Sequence, residues 1–351
     1  MCDGILKRHA TSGHRLRLAL TLAISAAGAA LAYLLGLPLP FLLGPLLACL
    51  AAALAGLPLK GHKPTSDAMR TVLGVAIGAT ITPALFARLP EMAASVALVP
   101  LLIVAIGVTG YPVLRRLFGF DAATAWYGAM PGGLQDMLAF GEEAGGDVRA
   151  LGLIHATRVL IVVTVLPFFM AGAMGLDLSQ PPGEPAASVP PHELAVQALC
   201  AVGGWWIAAR VGLFGASILG PMIAAAALSL TDVLHVRPPQ EAIVAAQFFI
   251  GFGVGVKYVG VTAHELRRDV LAGIVYTAAI MVVAGVFAAV SITLVGTPLV
   301  ESLLAFSPGG QAEMVILALV AGADVAFVVT HHVTRLVLVI LGAPLARRWL
   351  G

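Results

Sequence analysis

Charge is scarce in this sequence. Only 11% of its 351 residues are Asp, Glu, Lys or Arg, against about a quarter in soluble domains. The longest polar stretch, residues 177–193, is too short to be a soluble domain. The length alone would allow two such domains; the shortage of charge excludes them. The net charge of +2 brings no basic arm, because Lys and Arg stand in short clusters between apolar runs. Nucleic acid is therefore not an expected partner. Cysteine is scarce too. Cys2, Cys49 and Cys200 form no pairing pattern, and the last two sit inside apolar runs as small packing residues.

What is abundant is apolar side chain: 60% of the chain, with mean hydropathy +0.98. That reads as membrane helices. The apolar segments run over about 16–35, 40–57, 68–85, 92–113, 121–140 and 151–176, then 195–209, 217–234, 242–259, 270–295, 299–320 and 325–345. The uncharged run of the first, Leu18 to Leu35, follows Lys7, Arg8, Arg15 and Arg17 and so invites comparison with a signal peptide. It is long for that, and its counterpart at 195–209 is internal.

The second set of six repeats the first. Pro131-Gly132-Gly133 returns as Pro308-Gly309-Gly310, an offset of 177. At the same offset Met137 meets Met314, Asp147 meets Asp324, His155 meets His332, Arg158 meets Arg335 and Pro167 meets Pro344. Asp136 meets Glu313, acid opposite acid, and Gly74 and Gly78 meet Gly251 and Gly255. Chance apolar similarity would match Leu, Val and Ala; here polar and helix-breaking residues recur. The chain is an internal duplication, with repeats at 16–176 and 195–346 forming one membrane domain. The paired glycines have the spacing that lets membrane helices approach closely.

Each Pro-Gly-Gly interrupts an apolar stretch. Residues 121–130 make about 15 Å of helix, half of a roughly 30 Å hydrocarbon core. Proline breaks the ladder and Gly-Gly lets the chain turn, so either a crossing or a return is possible locally. Charge decides. If both stretches return and the N-terminus is inside, then Lys60, Lys63, Arg115, Arg116, Arg149, Arg210, Lys257, Arg267, Arg268, Arg347 and Arg348 are inside, and only Arg88 and Arg237 are outside. Loop 177–193, without Lys or Arg, is then outside. The positive-inside rule favours this arrangement. The expected fold is an all-α polytopic membrane protein with inverted repeats, about ten crossing helices and two re-entrant Pro-Gly-Gly hairpins from opposite faces.

Broken helices at the midplane of inverted repeats are where secondary transporters hold substrate and coupling ion. Pro131, Gly132, Gly133 and Gln135, with Pro308, Gly309, Gly310 and Gln311, are candidate solute-binding positions, against the simpler reading of a structural kink. Arg158 and Arg335 lie in apolar helices; they bind an anionic solute or pair with Asp136 and Glu313. Those acids, with His155 and His332, are candidates for ion coupling, the alternatives being a structural pair and hydrogen-bonded core histidines. Asp147 and Asp324 read as helix N-caps.

Pro-Gly-Gly, an acid, Gly-x-Asp-Val and His-x-x-Arg, in two copies, resemble the bacterial AbrB membrane-protein family, distinct from the soluble Bacillus regulator of that name. The resemblance runs from about residue 18 to 345. It implies a multi-pass protein of the bacterial inner membrane; some members of the family are single-copy. Members are labelled ammonia monooxygenase or regulator of gene expression. Copy two departs at Gln311-Ala312, where copy one has Leu134-Gln135, and adds His331.

Three functions follow. The first is an ion-coupled secondary transporter of a small polar or anionic solute, without cofactor or metal and not an enzyme. The second is a membrane sensor acting indirectly on gene expression. The third is a monooxygenase, which would need clustered metal ligands; only His155, His331 and His332 of nine histidines lie in spans. Expected partners are a small solute, H⁺ or Na⁺, and the lipid bilayer, with self-association into a homo-oligomer left open.

Overall fold

The computed structural model describes residues 2–213 and 215–347, with side chains over 15–83, 90–213 and 215–345. The side chains of Cys2, Lys7, Arg8, Arg88 and Arg347, and all of Arg348, lie outside the described residues. Helix is the only regular structure among the described residues.

The first copy comprises α1 (Cys2–Leu34), α2 (Pro40–Leu54), α3 (Lys63–Gly78), α4 (Pro83–Val96), α5 (Leu98–Pro112), α6 (Ala122–Ala129), α7 (Leu134–Glu143) and α8 (Val148–Met174). The second comprises α9 (Pro191–Arg210), α10 (Ala216–Leu230), α11 (Gln240–Gly255), α12 (Ala263–Glu265), α13 (Leu271–Val290), α14 (Leu299–Phe306), α15 (Gln311–Val320) and α16 (Val325–Arg347). Six helical segments are long and apolar enough to cross a membrane alone: Arg15–Leu34, Pro90–Leu117, Val148–Met174, Gln240–Tyr258, Ala263–Val295 and Val325–Leu345. The chain is thus a polytopic membrane protein. Of the ten expected crossings, α2, α3, α9 and α10 do not qualify alone by length or composition. α2 and α10 have 15 residues each, about 22 Å of helix.

Those short helices are shielded by each other. α10 packs along α3, and α11 along α2. A Cβ on Gly74 would collide with the Ile218 carbonyl, and one on Gly251 with the Leu42 carbonyl. One turn later, a Cβ on Gly78 would lie 2.6 Å from Ala225 Cβ, and one on Gly255 2.8 Å from Cys49 Cβ. The four-residue glycine spacing therefore brings backbones of opposite copies together, the close approach expected of it. Gly28 against Gly44 and Gly204 against Gly220 repeat the device within each copy, joining α1 to α2 and α9 to α10.

Both interrupted stretches return. Thr124, at the start of α6, accepts the N–H of Asp147, just past the end of α7, over 2.7 Å. In the second copy Glu301, at the start of α14, accepts the N–H of Asp324 over 3.2 Å. Each α6–α7 or α14–α15 unit begins and ends at one level. The levels are opposite. Arg268, just ahead of α13, stacks 4.5 Å over Phe120 at the base of the first hairpin. At the far end of the same continuous helix, Ser291 bonds Thr297, which bonds Ser302 of α14. Ala263–Val295 has 33 residues, about 50 Å, so the two bases are separated by the whole bundle.

Arg115, Arg149, Arg267 and Arg268 gather at the first base, where Arg149 bonds Glu265 over 2.8 Å. Loop 177–193 is at the other end, with Leu178 O accepting from Leu39 N and Glu184 O from Gln240 N at the starts of α2 and α11. This is the charge segregation on which the sequence-based topology rested.

Candidate functional site

The hairpin tips are held by the residues that the duplication singles out. A helix leaves its last four carbonyls unpaired, and α6 and α14 end in the interior. In copy one, His155 Nε2–H donates to Tyr127 O over 3.0 Å. Arg158 donates from Nη1 to Met130 O over 3.2 Å and from Nη2 to Gly132 O over 3.1 Å. In copy two, His332 Nε2–H donates to Leu304 O over 2.9 Å. Arg335 donates to Ser307 O over 2.6 Å and to Gly309 O over 2.9 Å. The three-residue spacing puts His and Arg on one face of α8 and of α16, and that face clamps the incoming half-helix.

This corrects the expected acid–arginine pairs. Neither Arg158 nor Arg335 forms an ion pair among the described residues; backbone carbonyls take their place. Asp136 and Glu313 instead stand at the third position of α7 and α15 and fold back over Gly133 and Gly310. A Cβ on either glycine would collide with the carboxylate three residues on. Such a carboxylate offsets the exposed N–H dipoles of a helix start, and neither glycine offers a side-chain cap of its own. Gly132 and Gly309 are covered by Met137 and Met314, whose side chains would meet a Cβ at 2.7 and 2.8 Å. The aspartates fit their reading: Asp147 caps α8, accepting from Arg149 N and Ala150 N, and Asp324 accepts from Phe327 N.

The clamp leaves donors free. Arg158 is 2% exposed and Arg335 6%, yet Nε of each has no partner. Two cations are therefore buried with neither counter-charge nor a full set of acceptors, a costly state unless something anionic joins them. The Nε2 amide nitrogen of Gln311, first residue of α15, is also buried without a partner. Gln135, unlike these donors, is exposed.

The two tips are not identical. His332 Nδ1 accepts from Arg335 Nη2 over 3.1 Å, whereas His155 Nδ1 has no partner. His331 Nδ1 bonds Phe327 O over 2.8 Å, with Nε2 3.1 Å from Ser95 Oγ. Tyr276 donates to Ala129 O over 2.8 Å, so α13 also steadies the first tip. The sequence gives no sign of that, because Tyr276 has no counterpart in copy one. Among the described residues no group of three or more His, Cys, Asp or Glu gathers as metal ligands would.

Along the first hairpin, from Leu134 at the tip to Val148 and Arg149 at the base, lies an open cavity of about 500 Å³. Leu134, Leu138 and Leu153 form its apolar wall; Arg149 and Lys257 bring charge to it. Lys257 entered the sequence reading only as an inside charge, although a cation within an apolar run is itself a functional signal.

Comparisons with known proteins give the chain relatives along nearly its whole length. The chain is 27% identical over 348 residues to "Uncharacterized protein YhjN" of Bacillus subtilis (strain 168), covering 92% of this chain and 90% of that one. It is 24% identical over 327 residues to "Putative regulator AbrB" of Escherichia coli (strain K12), covering 90% and 91%. No solved structure matches. The model of the family described as "Transition state regulatory protein AbrB" matches residues 41–351, nearly the whole duplication. The chain is a member of that AbrB family.

Proposed function

We propose that this protein is an ion-coupled secondary transporter of a small anionic solute in the bacterial inner membrane, working without enzymatic chemistry. The carrying observation is the pair of buried arginines at opposed hairpin tips, each with a free Nε–H and no carboxylate partner among the described residues. A solute anion between the tips would supply the missing acceptors. Hairpins from opposite ends give each side of the membrane its own moving part next to one shared centre. Asp136 and Glu313, folded over the helix starts, are the groups that a proton or Na⁺ would meet first. His155 and His332 act on this reading by holding the hairpins. The regulator name of the Escherichia coli relative supports a second reading, in which a solute is bound and signalled but not moved.

Proteoliposome uptake under an imposed H⁺ or Na⁺ gradient tests the proposal, with a carboxylate panel screened first by thermal shift. Gly133→Ala and Gly310→Ala should displace the neighbouring carboxylates and abolish gradient-driven uptake while the solute still binds. A solute that binds but accumulates under no gradient would leave the sensing reading.

A further inference from the structure

The cavity along the first hairpin has its own chemistry. Its wall is mostly apolar, and its cations differ in availability. Arg149 is engaged with Glu265 at 2.8 Å. Lys257 makes no ion pair among the described residues; Arg70, Glu313 and His155 lie within electrostatic range of it. Lys257 follows α11 directly, held there by its neighbour Tyr258, which is buried and bonded to Thr157 of α8 over 2.9 Å. Copy one has Thr80 at the position of Lys257, so the cation is particular to one side. The cavity reaches Leu134, the first residue of α7. A ligand there touches both the helix start and the lysine.

We propose that this cavity binds an amphipathic organic monoanion, its carboxylate or sulfonate paired with Lys257 and its apolar body against Leu134, Leu138 and Leu153. One charge matches this lining better than two or three, because Arg149 is already paired and a further carboxylate against Leu134, Leu138 or Leu153 would meet no donor. The volume is within the range of small-molecule sites, about 300–1,000 Å³. The identity of this ligand as transported cargo rests on the transport reading; the binding site itself does not.

The test is calorimetric titration of 3-phenylpropionate, and of its uncharged isostere 3-phenylpropionamide, into the full chain in phosphatidylcholine nanodiscs. The anion should bind and the amide should not. Lys257→Met should weaken binding by about tenfold or more, the loss of one charge-assisted hydrogen bond. Gly152→Leu gives a variant that folds at least as well. A Cβ at Gly152 meets only Leu138, at 3.9 Å, and a helix gains from losing glycine. Its side chain projects into the cavity beside Leu138 and Leu153 and should block the apolar body of the ligand, weakening binding strongly with the melting temperature kept. Equal binding of the amide, or normal binding by Gly152→Leu, overturns the site. Phosphatidylglycerol in the nanodiscs separates the sources of such an anion. Competition that vanishes in Lys257→Met assigns the same site to lipid, and its absence assigns it to a free solute. Binding without gradient-driven uptake would remove transport and keep the site; uptake of 3-phenylpropionate undiminished by Lys257→Met would do the reverse.

Discussion

Arg158→Lys separates a charge from a fork. Arg158 reaches Met130 O over 3.2 Å and Gly132 O over 3.1 Å with two nitrogens of one rigid plane. Hydrogen bonds from a charged donor contribute about 1.5–3 kcal/mol each. Lysine carries three N–H donors, but on one nitrogen at the end of a differently shaped stem, so it does not reproduce the fork and leaves at least one carbonyl poorly paired while the burial of a cation remains. The expected cost is about 2 kcal/mol. Arg158→Met loses both bonds but also sheds the buried charge, whose desolvation is worth several kcal/mol. The conservative lysine should therefore be at least as destabilising as methionine. Thermal unfolding of the purified variants in detergent measures this order. A lysine variant with the wild-type melting temperature, beside a strongly destabilised methionine variant, would refute the fork and restore an ionic role.

Gly204→Ala should destabilise by about 1–3 kcal/mol or more through overpacking, because its Cβ would lie 2.7 Å from the Gly220 carbonyl oxygen. Gly203→Ala, with nothing within 4 Å of its Cβ, should be neutral in the same melt. A cysteine at Ser188, in a Cys-free background, should react with an impermeant maleimide in intact cells; labelling only after lysis would invert the assigned topology. His235 Nδ1 lies 2.8 Å from the buried carboxylate of Glu193 and holds the α10–α11 turn to the start of α9. The hydrogen bond that the imidazolium donates to the Glu193 carboxylate raises the histidine's pKa above its usual value. The tie is therefore fully present below about pH 6.5 and fades as pH rises through the raised value. Hydrogen–deuterium exchange over 231–238 should quicken across that range, and His235→Gln should remove the pH dependence.

The sequence by itself determined the membrane class and the duplication, and it favoured returning hairpins over crossing ones. Each rests on chain-local signals: hydropathy, a fixed offset of 177 and the segregation of Lys and Arg. It also marked the residues of the clamp, since His155, Arg158, His332 and Arg335 recur where neighbouring apolar positions drift. What each of them touches was decided only in three dimensions. From sequence, an intramembrane arginine and a nearby acid suggest a pair, because charge neutralisation is the cheapest assumption. The fold offers the arginines another partner, the orphan carbonyls where α6 and α14 stop in the interior. It gives the acids another too, the bare helix starts at Gly133 and Gly310. Lys257 and Tyr276 carried no repeat signal, and they matter because α11 and α13 of one copy are laid against α8 and α6 of the other. Such contacts join residues more than a hundred positions apart. They depend on how glycine-lined helices of the two copies cross, which no local pattern records.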